Sequence, residues 1–192
     1  LRKDPPQPFQ NNLAKAADRL YQLGKDSECI AECQLALKKA PKNLKLLDLC
    51  ALSYLLTGQE DACVASYLEI LNIDADNFIA NLNVGKIFIN QGKHSQALAF
   101  LEKCLIDSEH LSNVRLMMGI CHEITGNFSE AVNSYSLTLS DDPHKIRAYI
   151  QLASTLFKLQ QKNAAFEVLD TGFKINPDAY DLLFIKGNSL IE

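Results

Sequence analysis

Apolar side chains recur at intervals of three and four along most of this chain. Leu46, Leu47, Cys50, Ala51 and Tyr54 fall on one stripe, because helical residues three or four apart share a face. Gly58 interrupts that rhythm, and a second stripe follows in Cys63, Tyr67, Leu68 and Leu71. Lacking a Cβ, glycine takes the left-handed conformation that closes a helix. The pattern therefore predicts a helix, a glycine turn and a second helix. Such a hairpin cannot cover its own apolar stripes and needs neighbours stacked on it.

The hairpin recurs. Gly24, Gly58, Gly92 and Gly126 are spaced 34 residues apart, and the next step lands on Gln160. Five units result, 10–43, 44–77, 78–111, 112–145 and 146–179, and 180–192 matches a first helix only, with Leu183, Gly187 and Leu190 in register. Residue size keeps phase as well. The eighth position reads Ala17, Ala51, Gly85, Gly119 and Ala153, and the eleventh Leu20, Tyr54, Phe88, His122 and Leu156. The twentieth is small again, at Cys29, Cys63, Ala97, Ala131 and Ala165, and the twenty-fourth reads Cys33, Tyr67, Leu101, Tyr135 and Leu169. Pro41, Pro143 and Pro177 share position thirty-two, where Ala75 and Glu109 depart.

In these classes and this period the chain resembles the tetratricopeptide repeat, over nearly its whole length. The resemblance implies an all-α fold, a right-handed superhelical solenoid of helix-turn-helix repeats with about five full repeats and one terminal helix. Residues 1–9, with Pro5, Pro6 and Pro8, are expected as an extended leader, because proline lacks an amide donor; the repeat domain is placed at 10–192. The chain starts at Leu1 without a signal-peptide pattern, and its last helix carries Leu182, Phe184, Ile185 and Ile191 off the packing face. It therefore reads as a segment of a longer protein, with self-association through that helix as the second reading.

Composition narrows the function. Residues are 47% hydrophobic without a long apolar run, which predicts no membrane span, and the 23 acidic and 19 basic residues, net −4, are interspersed without a basic stripe for nucleic acid. The six cysteines invite a metal or disulfide reading, most of all Cys29 and Cys33, one helical turn apart. They fall on packing positions instead, so buried reduced thiols, no metal and a cytoplasmic setting are expected. His122, beside Cys121, could mark a thiol–imidazole pair, but adjacent helical residues point about 100° apart. A core histidine is the preferred reading. Asp74, Asp76 and Asn77 fail as a calcium loop because Phe78 and Ile79 stand where a ligand and a glycine are needed. Asn127-Phe128-Ser129 reads as a turn, not a glycosylation acceptor, and no phosphate loop, zinc-protease motif or nucleophile elbow occurs. The expectation is a non-enzyme without cofactor.

The resemblance further implies that first helices line a concave face and that positions two, five, nine and twelve look into it. The candidate groove is then Lys45, Leu52, Leu55, Ile79, Leu82, Asn83, Lys86, Ile89, Leu116, Ile120, Glu123, Arg147, Ile150 and Phe157. Its middle is apolar, which points to an interaction surface. The family's carboxylate clamp is missing, since Asp48 and Leu52 precede Asn83, with Asn113 and Met117 after it; position six, Lys15, Leu49, Asn83, Met117 and Gln151, also lacks the asparagine ladder of the sugar-transferring relatives. The leading expectation is a protein-binding scaffold or adaptor that takes a peptide or helix with apolar anchors, helped by peripheral charges. Charges placed at Leu82 and Leu116 would then abolish capture with the helices intact. Alternatives are the regulatory or substrate-recruiting arm of a larger enzyme such as a transferase, and a self-assembling solenoid.

Overall fold

The computed structural model describes residues 7–106 and 109–188, with side-chain surroundings for 14–106 and 109–187. Among these the chain is all-α, with α1 (Gln7–Gln22), α2 (Asp26–Leu37), α3 (Leu44–Leu56), α4 (Glu60–Ile73), α5 (Phe78–Asn90), α6 (His94–Leu101), α7 (Leu111–Ile124), α8 (Phe128–Asp141), α9 (Ile146–Lys158), α10 (Lys162–Ile175) and α11 (Tyr180–Asn188). A 3₁₀ turn, Glu102–Ile106, continues α6. Helix α1 already starts at Gln7, so Pro8 and Phe9 of the expected leader are helical. Proline is tolerated in a first turn, where its missing amide would have had no partner. The rest of that leader, and Leu190 and Ile191 of the terminal helix, lie outside the described residues.

Two compact units divide the chain, Leu1–Ile87 and Phe88–Glu192. In the first, α1 packs on α2, α2 on α3 and α3 on α4, and the two first helices α1 and α3 also touch. In the second, α7 packs on α8, α8 on α9, α9 on α10 and α10 on α11, while the first helices α7, α9 and α11 meet in sequence. First helices thus form one layer within each unit, and second helices the other.

Hairpin turns follow one hydrogen-bond scheme. After α3, Gln59 N–H donates to Tyr54 C=O at 2.8 Å and Gly58 N–H to Leu55 C=O at 3.1 Å, with Gly58 at φ +73°. This is the Schellman arrangement, which satisfies the last carbonyls of a helix through one left-handed residue. It recurs after α1, α5, α7 and α9. In the last of these Gln160 holds φ +61° without being glycine, so the two backbone bonds outweigh the steric cost of a Cβ there.

Large residues fill the space that small ones leave. Ala17, Ala51 and Ala153 are fully buried in the first helices, as are Cys29, Cys63, Ala97, Ala131 and Ala165 in the second. Tyr67 and Tyr135 are the largest fully buried side chains. Gly119 has no alternative: a Cβ there would stand 2.4 Å from Tyr135 Cε1. All six cysteines are buried. Cys29 Sγ donates to Ala17 C=O at 3.3 Å and lies 4.0 Å from Cys33 Sγ. The hydrogen bond with Cys50, followed by burial, pushes the Cys33 thiol up, and burial pushes Cys63 and Cys121 up to about 11. Raised in this way, Cys33, Cys63 and Cys121 are packing thiols, poor as nucleophiles.

Candidate functional site

In the first unit the expected groove residues range from half-buried to exposed. Leu55 is 39% and Ile79 56% exposed, whereas Leu52, Leu82 and Asn83 are half-buried. Lys45 is exposed with its Nζ 3.3 Å from Asp18 Oδ2, and Lys86 is exposed. Asn83 is occupied internally, donating from Nδ2 to the Tyr67 hydroxyl at 2.8 Å.

A cavity of about 380 Å³ opens on this unit, lined by Leu44, Lys45, Asp48, Ile70, Asn77 and Ile79. The α3 helix brings Leu44, Lys45 and Asp48 to one wall because they lie within one turn of each other. Asn77 and Ile79 also line it, and the Asn77 side chain caps α5 by accepting from Ala80 N–H at 3.1 Å. Asp48 is the unusual member. Its Oδ1 is closed to solvent and has no hydrogen-bond partner among the described residues, and burial holds its carboxyl above the ordinary value of 3.8. Sequence pattern placed Asp48 on the inward stripe without marking it as a site, since periodicity reports a direction and not a missing partner.

In the second unit the expected residues divide differently. Leu116 is only 7% exposed and belongs to the core with Tyr135, Ala148 and Leu152. A charge at this position would break packing, so the expected double substitution with Leu82 cannot isolate binding from folding. Ile120, Ile150 and Phe157 are half-buried against the same core, and Phe157 meets Phe166 edge-on at 5.4 Å. Ile89 is half-buried and Arg147 exposed.

Glu123 is structural. One carboxylate oxygen accepts from the Tyr135 hydroxyl at 2.8 Å, and the other accepts from Lys158 Nζ at 2.7 Å. The Glu123 side chain is 12% exposed. Burial, then the bond to Glu123, raises the Tyr135 hydroxyl well above the usual tyrosine range. A second cavity, about 420 Å³, is lined in part by Ile150, Ser154, Phe157, Lys158 and Ile185. Lys158 is a wall residue the sequence reading missed; only its place at the end of α9 could have suggested it. His122 is half-buried, with Nδ1 closed off and unpartnered among the described residues.

No helix among the described residues is long and apolar enough to cross a membrane. A family model described as Tetratricopeptide repeat matches residues 79–105 and 146–179. The curated protein "BBSome complex member BBS4" of Bos taurus is 22% identical over 165 residues, which cover 86% of this chain and 31% of that protein. The chain thus spans about a third of that relative's length. Among solved structures, YrrB, described as a TPR protein with an unusual peptide-binding site, superposes with a TM-score of 0.78 at 18% identity, covering 91% of this chain and 90% of YrrB. MamA gives 0.78 at 17% identity, over 86% and 90%. PilF of Pseudomonas aeruginosa gives 0.66 at 16%, over 86% and 75%. The structural likenesses show a shared fold. The fold is thus a tetratricopeptide-type helical solenoid, and two stretches of the chain are similar to the tetratricopeptide repeat itself.

Proposed function

We propose that this chain is an interaction scaffold whose first-helix face binds a peptide or a partner helix through apolar anchors. The observation that carries this reading is the exposure of Leu55 and Ile79, large aliphatic side chains left open on the inward stripe of the first unit. With the half-buried Leu52 and Leu82 on the same stripe, such open apolar side chains favour a partner that covers them, and an amphipathic helix or extended segment is the form that fits a row of such anchors. Tetratricopeptide folds generally mediate protein–protein contacts. The peptide-binding site attributed to YrrB and the membership of the bovine relative in a complex agree with that role.

Ile79→Asp combined with Leu55→Asp tests the reading. Both side chains are open, so helical circular dichroism and the melting temperature should stay near wild type, while immobilised chain should lose the proteins it retains from a native extract. Retention of the same set by the double variant would overturn the reading.

A further inference from the structure

We propose that the cavity between α3 and α5 receives a lysine or arginine side chain of the bound peptide, its cationic head at Asp48 and its methylene stem along Leu44, Ile70 and Ile79. This rests on the peptide-binding reading and names the chemistry of one anchor. The cavity, about 380 Å³, falls in the range of ligand-sized sites. Its walls are apolar but for Lys45, Asp48 and Asn77. Lys45 is drawn towards Asp18, at 3.3 Å, and Asn77 is committed to capping α5. Asp48 lines the cavity with a carboxylate whose Oδ1 is closed to solvent and has no partner among the described residues, so a cation entering the cavity meets the other oxygen and offsets the charge of the whole group. Such a group is costly in the free protein and strongly favourable once a cation pairs with it. Basic side chains suit a cavity of this composition, because they lay an aliphatic stem on apolar surface while the head finds the charge.

The second unit shows how such a carboxylate is satisfied. Glu123, also on a first helix, takes Lys158 from the next first helix at 2.7 Å. Internal sequence supplies the cation there. At Asp48 the described residues supply none.

The test is selection of phage-displayed random dodecapeptides on the immobilised wild-type chain and on Asp48→Asn. Wild type should enrich a lysine or arginine at one position beside apolar residues, and Asp48→Asn should lose that preference. A selected peptide, resynthesised, should bind Asp48→Asn about tenfold more weakly. Replacing its basic residue by norleucine should cost the same factor on wild type and nothing further on Asp48→Asn, as a double-mutant cycle requires of a direct pair. Enriched peptides without a shared basic position, or a preference that survives in Asp48→Asn, would overturn the inference. If those peptides still lose binding to Ile79→Asp, the groove reading stands alone. No enrichment over a bare surface would remove both.

Discussion

Two buried tyrosines occupy the same place in their repeats and are satisfied in opposite ways. Tyr67 in the first unit and Tyr135 in the second are both fully buried at the twenty-fourth position. The Tyr135 hydroxyl donates to Glu123, which also takes Lys158, so hydroxyl, carboxylate and ammonium close on one another. The Tyr67 hydroxyl accepts from Asn83, a neutral donor. Burial, and after it the charge of Asp48, raises that hydroxyl. Asp48 itself has an oxygen without a partner among the described residues. One first-helix carboxylate is thus part of the frame, and the other is held at a cost. Frames bear substitution badly, whereas a carboxylate kept against stability is where a ligand is expected to act.

The largest effect should come from the ring itself. A Cβ at Gly119 would meet Tyr135 at 2.4 Å, and the ring is enclosed and tied to Glu123, so Gly119→Ala should cost about 3 kcal/mol, read as a lower denaturant midpoint. The matching position in the first unit already holds Ala51, fully buried. There the reverse change, Ala51→Gly, should cost only about 1 kcal/mol from helix propensity. Equal costs at the two positions would mean that the second unit is not the more tightly closed.

Removing a charge partner should rank next. Glu123→Ala leaves a buried hydroxyl without its acceptor and Lys158 without its anion, a loss of about 2 kcal/mol. Asn83→Ala removes one neutral donor from Tyr67 and should cost about 1 kcal/mol or less. Glu123→Gln, which keeps an acceptor for Tyr135, should recover part of the loss. If Asn83→Ala proves the more damaging, the assignment of frame and binding surface to the two units is reversed.

The repeat was legible because its determinants are local and strict. A left-handed turn favours glycine, and close helices need small residues, so both recur in phase in the bare sequence. The turn at Gln160 kept its form without glycine because the backbone bonds from Gln160 and Gln161 to Phe157 and Leu156, both 2.9 Å, are independent of side chain. The state of the inner face was harder to read. Leu82 and Leu116 share the fifth position of their repeats, yet the first is half-open and the second is core. What differs is the neighbouring packing, which periodicity does not carry. Glu123 reads in the sequence as a groove residue because its partner lies 35 residues on. Asp48 was on the stripe, but a missing hydrogen bond leaves no trace in a pattern.

The smallest effect bears most directly on the contrast between the carboxylates. Burial raises the Asp48 carboxyl above 3.8 in the folded chain, so the folded state binds that proton more tightly than the unfolded one. Stability from this group therefore grows as pH falls from the folded value towards 3.8, and is lost as pH rises back through that window, the reverse of a salt-bridged aspartate. Lys45, which lines the same cavity, and Cys63 and Tyr67 from α4, both of which feel the Asp48 charge, are groups near it. Above the window the ionised carboxylate carries its desolvation cost, and an asparagine of the same shape carries no charge to desolvate. Asp48→Asn should accordingly melt about 2 °C above wild type at neutral pH, with the gap narrowing through the window as wild type takes up its proton. Glu123→Gln, whose carboxylate is paired, should melt below wild type at the same neutral pH. An Asp48→Asn chain that melts lower at neutral pH would show the Asp48 carboxylate to be as structural as Glu123, and the distinction between the two carboxylates would fail.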